Sequence, residues 1–339
     1  MPTPAASLPV THQDILEAVP RVREVLRPTP LFEWTALGDL FGGRFLAKHE
    51  NHQPVGAFKV RGGVNLVAQL SDTERDAGLL ACSTGNHGQS LALAAGRAGI
   101  ECTIVVPEGN NPGKNESMRR LGATVIEYGA DFDEAREHIE REWSDKPARY
   151  VHSANEPDLI AGVGTMGVEI FEECPEPDVV LVPIGLGSGV CGTGIVARQR
   201  SPRTRVIGVQ AVGASAVAQM WRTGEWTVDS AADTWAEGVA TRVPAEMTMQ
   251  IMREVVDDVL LVSDDDLRHA CRAYLELTHN LVEGAGAATL AAAVVHRSQF
   301  AGKVVVGVVS GGNLDPAELP RILAMPPWDQ AVPGGVSPL

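Results

Sequence analysis

Aromatic residues are scarce in this 339-residue chain, where Phe, Trp and Tyr make up 5% of the composition. Basic residues are also few, since 28 Lys and Arg stand against 43 Asp and Glu, giving a formal net charge of −15 at pH 7. A surface that binds nucleic acid must neutralise phosphates with Lys and Arg, so this balance argues against a nucleic-acid partner. To bind an anion, the chain has to concentrate hydrogen-bond donors locally.

Cysteine is present without the spacing of a disulfide framework or a metal site. The number of cysteines is odd and none forms a CxxC pair, which predicts reduced thiols packed in the core, as in a cytoplasmic protein. The nine histidines form neither an HExxH motif nor a cluster with cysteine, so no zinc site is expected. The cysteines are Cys82, Cys102, Cys174, Cys191 and Cys271.

No long uninterrupted hydrophobic run occurs. The longest apolar stretch, 179–197, is broken by Pro183 and by several glycines, so a buried strand, loop and helix explain it better than a membrane span. The first residues, MPTPAASLPVTHQD, lack the basic and apolar segments of a signal peptide. We therefore expect a cytoplasmic protein that does not bind a membrane.

Short apolar runs rich in β-branched residues alternate with helical patterns, which is typical of α/β architecture with parallel sheets covered on both faces. The length favours two domains. Asp131 and Ser263 are predicted helix N-caps, and the Pro- and Gly-rich tail from Met325 is expected to pack weakly. The predicted strands are 79–82, 102–107, 124–128, 179–184, 206–211 and 304–309, and the predicted helices are 12–26, 59–70, 87–98, 112–121, 131–143, 157–173, 189–200, 264–279 and 284–297.

Lys59 stands in the segment GAFKVRGG, residues 56–63. A lysine amine becomes a useful nucleophile when an apolar pocket or a nearby cation lowers its pKa, and Phe58 and Arg61 can provide these two influences. A solvated lysine at a helix start is the ordinary alternative for such a residue. The segment alone does not decide between them.

Three further motifs follow predicted strands. STGNHGQ (83–89) opens a helix, where unpaired N–H groups favour an anion, although an N-capping turn explains it equally well. GLGSG (185–189) can form a phosphate nest; the competing dinucleotide motif needs a sixth-place glycine and a later acidic residue, and both are missing. SGGN (310–313) offers the neutral hydroxyl of Ser310, or is simply a turn at a strand end.

In this order and spacing, the four motifs resemble those of the fold-type II pyridoxal-phosphate enzymes, closest to the branch of serine/threonine ammonia-lyases (dehydratases) and serine racemase. The resemblance extends over about 27–314. It implies an α/β fold of two domains with open, mostly parallel sheets, like the β subunit of tryptophan synthase. A large cofactor-binding domain (1–67 and 153–325) would be interrupted by a small substrate-binding domain (68–152) and followed by a tail (326–339), with the cofactor in the cleft.

The resemblance also implies roles for individual residues. Lys59 would be the catalytic lysine that forms a Schiff base with pyridoxal 5'-phosphate, and Ser310 would bind the ring nitrogen, where a hydroxyl favours β-elimination over transamination. Thr84 would be the second catalytic candidate, at a position where racemases keep serine and many dehydratases have no hydroxyl. The other implied cofactor contacts are Phe58, Asn86, Gly185, Leu186, Gly187, Ser188, Gly189, Gly238 and Glu283, and the implied substrate contacts are Ser83, Thr84, Asn86, His87 and Asn155. Glu283 can equally be a charge at a helix N-terminus.

Two positions depart from the pattern. Ala57 stands where the family has Ser or Thr, and Gln210 with Ala216 replaces the acidic pair that holds a divalent cation in racemase-like members. Since Mg²⁺ and Ca²⁺ need carboxylate oxygens, no metal site is expected.

The expected activity is that of a pyridoxal-phosphate ammonia-lyase, which converts a β-hydroxy amino acid such as L-threonine or L-serine into a 2-oxo acid and ammonia. The alternatives are an amino-acid racemase, a lyase for a specialised hydroxy amino acid and a non-catalytic cofactor-binding protein. We further expect a homodimer without an appended regulatory domain.

Overall fold

Two β-sheets organise the chain in the computed structural model, which describes residues 8–130, 132–142, 147–229 and 231–328. The strands are β1 (Leu31–Glu33), β2 (Arg44–His49), β3 (Leu79–Cys82), β4 (Cys102–Val106), β5 (Thr124–Glu127), β6 (Arg149–Tyr150), β7 (Val179–Pro183), β8 (Arg205–Ala211), β9 (Asp258–Val262) and β10 (Val304–Val309). One sheet has the order β1-β2-β10-β7-β8-β9 and the other β5-β4-β3-β6. All neighbouring strands are parallel except β1 and β2, which confirms the predicted α/β fold class.

Helices cover the sheets and connect the parallel strands. The predicted helices are all present, with ends that differ by at most two residues. The helices are α1 (His12–Val25), α2 (Thr35–Asp39), α3 (Val60–Ala68), α4 (Asp72–Ala77), α5 (Asn86–Ala98), α6 (Pro112–Arg120), α7 (Phe132–Glu142), α8 (Pro157–Glu173), α9 (Ser188–Arg200), α10 (Ala216–Thr223), α11 (Glu246–Val255), α12 (Asp264–Thr278), α13 (Gly284–Val295) and α14 (Leu319–Ala324). In the described part of the chain, no helix is long and apolar enough to cross a membrane.

The sequence patterns missed the elements β1, β2, β6, β9, α2, α4, α10, α11 and α14. Most are short, and β2 carries Lys48 and His49, whose polar side chains hide the apolar pattern of a buried strand. The predicted N-cap at Ser263 is confirmed, because its side chain accepts from the backbone N–H of Asp266 in a capping box. The other predicted cap, Asp131, lies outside the described residues.

The expectation of weak packing from Met325 onward is wrong for the part that the structure describes. Trp328 is 7% exposed and belongs to the core of the larger sheet. Its indole stacks on His269 with a centroid separation of 5.6 Å, and the guanidinium of Arg272 donates to the Met325 carbonyl. A buried aromatic side chain anchors this segment despite its prolines. The rest of the predicted tail, 329–339, lies outside the described residues.

The three candidate loops meet because of the strand order. STGNHGQ follows β3, GLGSG follows β7 and SGGN follows β10, so each loop leaves the carboxyl end of a parallel strand, where α/β folds bind ligands. The helix after GLGSG is held close to α8, since a Cβ atom built on Gly192 would lie 2.7 Å from the Cα atom of Gly164. Small residues at this crossing fix where the glycine loop begins.

Candidate active site

A cavity of about 450 Å³ opens between the carboxyl ends of the two sheets. Every site residue predicted from the sequence lines it except Asn155. The lining residues from that prediction are Phe58, Lys59, Ser83, Thr84, Asn86, His87, Gly185, Leu186, Gly187, Ser188, Gly189, Gly238, Glu283 and Ser310. Four motifs that are far apart in sequence therefore face one space.

Lys59 directly precedes α3 and places its amine in the cavity wall. Its Nζ atom donates to the hydroxyl of Ser188 at 2.9 Å and to the carbonyl of Ser153 at 3.1 Å. The side chain keeps some exposure through the cavity, yet the surrounding protein lowers the pKa of Lys59 from 10.5 to about 8 by desolvation. The neutral fraction of the amine near physiological pH is therefore much larger than for an exposed lysine.

Arg61 does not supply the cation that we expected beside Lys59. Its buried guanidinium forms paired hydrogen bonds of 2.7 and 2.8 Å with the carboxylate of Glu50 and of 2.7 Å with both oxygens of Glu169. Lys48 adds a second buried cation, 2.8 Å from Glu169. The charge of Arg61 is thus neutralised behind α3, and burial alone accounts for the lowered pKa of Lys59.

The STGNHGQ turn directs donors into the cavity. The Ser83 hydroxyl oxygen accepts from the backbone N–H groups of Gly85 (3.1 Å) and Gly88 (2.8 Å), so its own hydrogen remains to be donated. Ser83 therefore also caps one N–H group in the first turn of α5, that of Gly88, as the capping alternative anticipated. His87 donates from Nε2 to the Val151 carbonyl at 3.3 Å, and burial lowers its pKa to about 3, so the ring is neutral.

Asn86 and Glu283 connect the start of α5 with the start of α13 in the wall of the cavity. The amide nitrogen of Asn86 donates to Glu283 at 2.8 Å, while its oxygen accepts from Asn313 at 2.8 Å. These bonds fix the orientation of the amide, whose second N–H hydrogen remains available. Glu283 directly precedes α13, and burial raises the pKa of its carboxyl group.

The backbone of the glycine loop packs closely against the backbone of a neighbouring segment. A Cβ atom on Gly185 would lie 2.6 Å from the carbonyl oxygen of Gly238, so a larger residue does not fit there. Gly187 has φ +99°, a conformation that favours glycine, and α9 begins immediately after it. The first N–H groups of a helix have no intrahelical acceptor, which makes this end suitable for an anion.

The SGGN turn is tied to the Lys59 segment. The backbone N–H of Phe58 donates to the Ser310 carbonyl at 3.0 Å, and Ala57 forms a β-bridge with Gly311. Ser310 is 5% exposed. This pairing holds the lysine and the hydroxyl of Ser310 against the same cavity.

The Asn155 side chain contacts the start of α11. Its Oδ1 atom accepts from the backbone N–H of Met247 at 3.2 Å, at the start of α11, and it is not among the residues that line the cavity. A role for Asn155 as a direct substrate contact remains a prediction. The structure gives it a contact with a helix that the sequence patterns did not predict.

Sequence reasoning also missed several charged and polar lining residues. His152 follows β6 at the carboxyl end of the smaller sheet, and burial lowers its pKa to about 4; its Nδ1 atom accepts from the Ala154 and Asn155 N–H groups. Lys114 at the start of α6 pairs with Glu237 at 2.5 Å across the cavity. Arg136 on α7 also lines it. Recognising β6 would have placed His152 beside the site.

Gln210 and Ala216, the two positions considered for a cation site, have no carboxylate oxygen that could bind a metal ion. The Gln210 side-chain oxygen accepts from the backbone N–H of Ala218 at 3.0 Å, and Ala216 is fully buried. Within the described ranges, no group of three or more His, Cys, Asp or Glu side chains is arranged for a metal ion. The prediction of no metal site remains a prediction.

These residues fit an aldehyde that carries a phosphate. The cavity offers a lysine amine of lowered pKa for the aldehyde and a glycine cradle at a helix N-terminus for the phosphate, and Ser310 provides a neutral hydroxyl. A family model described as "Pyridoxal-phosphate dependent enzyme" matches residues 22–311. The chain belongs to this family. The residues that would hold the cofactor are therefore Lys59, the glycine loop 185–189 and Ser310.

Three similar proteins show the range of activities among relatives. An L-threonine ammonia-lyase of Thermotoga maritima is 38% identical over 314 residues, covering 93% of this chain and 78% of the relative. An L-threo-3-hydroxyaspartate ammonia-lyase of Saccharomyces cerevisiae is 35% identical, covering 90% and 94%. The solved structure of maize serine racemase has a TM-score of 0.87 at 30% identity, covering 93% and 97%.

Proposed function

We propose that the protein is an ammonia-lyase (dehydratase) that converts a β-hydroxy amino acid, such as L-threonine or L-serine, into a 2-oxo acid and ammonia. The observation that carries this proposal is the amine of Lys59, with its pKa lowered to about 8, in the same cavity as the anion-binding turn at Ser83. The 38% identical L-threonine ammonia-lyase of Thermotoga maritima supports the same assignment.

The carboxylate of the amino acid would bind at the STGNHGQ turn. The hydroxyl hydrogen of Ser83 and the first two backbone N–H groups of α5, at Asn86 and His87, are donors suited to one carboxylate. His87 is neutral and its Nε2 hydrogen bonds to Val151, so it shapes the turn without adding charge. The amide of Asn86 has a second N–H that can donate as well.

Lys59 would then act as the base at the α-carbon. Pyridoxal phosphate, when bound, supplies an electron-withdrawing ring that stabilises negative charge at that carbon. The neutral Lys59 amine takes the α-proton, and a pKa close to the working pH makes it an efficient base. The α-proton and the β-hydroxyl leave as one water molecule, and hydrolysis of the released enamine consumes another to give the 2-oxo acid and ammonia.

A screen of β-hydroxy amino acids tests the proposal. L-threonine, L-serine and L-threo-3-hydroxyaspartate are supplied separately to the holoenzyme, and release of 2-oxo acid and ammonia is measured in steady state. We expect equal amounts of both products from at least one substrate. Cofactor binding without turnover of any β-hydroxy amino acid would instead support a non-catalytic protein.

A lyase for an acidic hydroxy amino acid is the second candidate. Arg136 lines the cavity, and its charge contributes to lowering the pKa of His152 after the larger effect of burial. A guanidinium binds a carboxylate in a paired geometry, so this wall suits a substrate with a side-chain carboxylate. The L-threo-3-hydroxyaspartate ammonia-lyase of yeast supports this candidate. A higher kcat/KM for hydroxyaspartate than for threonine, lost in Arg136→Met, would favour it.

Racemisation is a third candidate, supported by Thr84 and by the similarity to maize serine racemase. Thr84 lines the cavity and carries the hydroxyl that a second acid/base group needs. Its β-branched side chain restricts where the hydroxyl can point, which favours the lyase over the racemase. Chiral analysis of the amino acid that remains during turnover distinguishes the two.

The proposal also covers the domain organisation, the oligomeric state and the cellular location. We propose a large domain of 1–67 and 153–325 and a small domain of 68–152, with the strands of the smaller sheet, all between Leu79 and Tyr150, in support. A homodimer in the cytoplasm is proposed from the resemblance to the family. Sedimentation of the holoenzyme tests the dimer.

A further inference from the structure

We infer that Thr248 is a positioning residue, which orients the Leu186–Gly187 peptide of the glycine loop and thereby sets the affinity for the cofactor phosphate. Thr248 lies in α11, a helix that the sequence patterns missed, and its side chain is 0% exposed. The inference rests on the cofactor of the family and is independent of which amino acid is the substrate.

The hydroxyl of Thr248 holds the loop from behind. Its Oγ1 atom lies 2.6 Å from the Leu186 carbonyl oxygen and 3.2 Å from the Ala245 carbonyl oxygen. A hydroxyl has one hydrogen, and the shorter distance identifies the Leu186 carbonyl as the principal acceptor. Without this donor, a carbonyl packed against α11 would lose its hydrogen bond.

The direction of this carbonyl determines the direction of the next N–H group. In a planar trans peptide, the C=O of Leu186 and the N–H of Gly187 point in opposite directions. Because the carbonyl faces α11, the N–H of Gly187 faces the cavity that Gly187 lines. The φ of +99° at Gly187 then leads the chain into α9, so this N–H joins the donors at the helix start.

Thr248 is itself held by contacts on both sides of α11. The thiol of Cys191, in α9, donates to the Thr248 carbonyl at 3.3 Å. At the start of α11, Ala245 provides no side-chain cap, and Asn155 accepts from the Met247 N–H instead. A residue fixed in this way can hold the loop in one orientation before the cofactor binds, which raises affinity by preorganisation.

The test compares two ligands that differ only in the phosphate. Full-length protein freed of cofactor is titrated with pyridoxal phosphate and with pyridoxal, and each Kd is measured from the change in absorbance. Thr248→Val keeps the side-chain shape and removes the hydroxyl. We expect about a tenfold weaker Kd for pyridoxal phosphate, as the loss of one buried hydrogen bond implies, and little change for pyridoxal. Thr248→Ser should restore the wild-type ratio.

Thr193→Val is the matched control. Thr193 is another fully buried threonine, on α9, and its hydroxyl has no hydrogen-bond partner among the described residues. We expect this variant to leave both Kd values unchanged. Equal weakening of both ligands in Thr248→Val would indicate general damage to the site. That result, or any other in which the ratio of the two Kd values is unchanged, would overturn the inference. If Thr248→Val does not fold, Thr248→Cys, with its weaker donor, should give an intermediate ratio, and a wild-type ratio in that variant would overturn it.

Discussion

The amine of Lys59 and the hydroxyl of Ser188 are 2.9 Å apart, although 129 residues separate them in sequence. Lys59 precedes the helix α3, and Ser188 begins the helix α9 directly after the glycine loop. The hydrogen bond places the amine that we propose for the aldehyde at the edge of the glycine loop that we propose for the phosphate. The two ends of one compact ligand, its aldehyde and its phosphate, can therefore be bound at once.

The first prediction concerns Lys59→Ala. Without this amine, we expect loss of turnover and of the adduct that borohydride attaches to the protein, because the same group serves the cofactor and the α-proton. Peptide mapping of the reduced holoenzyme checks the site. Attachment at Lys48 or Lys114 would contradict the assignment, and these lysines provide internal controls in the same digest.

The second prediction is a pH dependence of stability in the cofactor-free protein. Burial lowers the pKa of Lys59 from 10.5 to about 8, so between these values the unfolded state binds more protons than the folded state. Stability contributed by this residue therefore rises with pH across that window, and below it the cost of the buried charge is fully present. We expect the urea midpoint of wild type to rise relative to Lys59→Met from about pH 8 upward. A constant difference would contradict this.

The third prediction separates lyase from racemase through Thr84→Ala. Racemisation needs a proton donor on the face opposite Lys59, whereas elimination does not. We expect the variant to retain most of the 2-oxo acid release of wild type. The opposite result would be formation of D-amino acid from the L-enantiomer by wild type that disappears in Thr84→Ala.

The fourth prediction concerns metal removal. Because Gln210 and Ala216 offer no carboxylate, chelator treatment should leave turnover and Tm unchanged. Both are measured before and after dialysis against chelator. A fall in Tm that Mg²⁺ or Ca²⁺ reverses would reveal oxygen ligands at another position.

The fifth prediction concerns the buried charge cluster. Arg61→Met leaves the carboxylates of Glu50 and Glu169 buried without their principal cation, and removal of one partner from such a cluster costs about 3–5 kcal/mol. Chemical denaturation of the holoenzyme measures the loss. Arg23→Met is the control, since its ion pair with Glu172 is exposed and should be worth about 0–1 kcal/mol. Equal losses of stability in the two variants would show that the buried cluster contributes no more stability than an exposed ion pair.

The sequence predicted the strands that carry the active-site loops because their signal is local. In β3 and β10 nearly every residue is apolar and the following residues are polar or glycine, so both strand and loop are visible in a short window. The arrangement around β2 is different. Lys48 is stabilised in a buried strand by partners outside that strand, among them Glu169, which is far along the chain and lies 2.8 Å away.

Contacts between distant parts of the chain also explain what the sequence did not show at the site. Arg61 was expected to act on Lys59, two positions away, but its carboxylate partners come from β2's neighbouring turn and from α8. Asn155 was expected to contact the substrate, and that role remains a prediction; the contact that the structure shows is with the first turn of α11, which the sequence patterns did not predict. Residue type indicated that these side chains need partners, and only the folded chain determines which partners they have.

The position of β10 has a consequence for folding during synthesis on the ribosome. This strand lies between β2 and β7, so residues 304–309 must arrive before residues 44–49 gain their parallel neighbour. The smaller sheet needs only strands up to Tyr150 and can assemble during synthesis, while β2 and β7 each keep one open edge until residues 304–309 have emerged. Until β10 has left the ribosome, those two edges can pair with other chains, so they have to be shielded during synthesis.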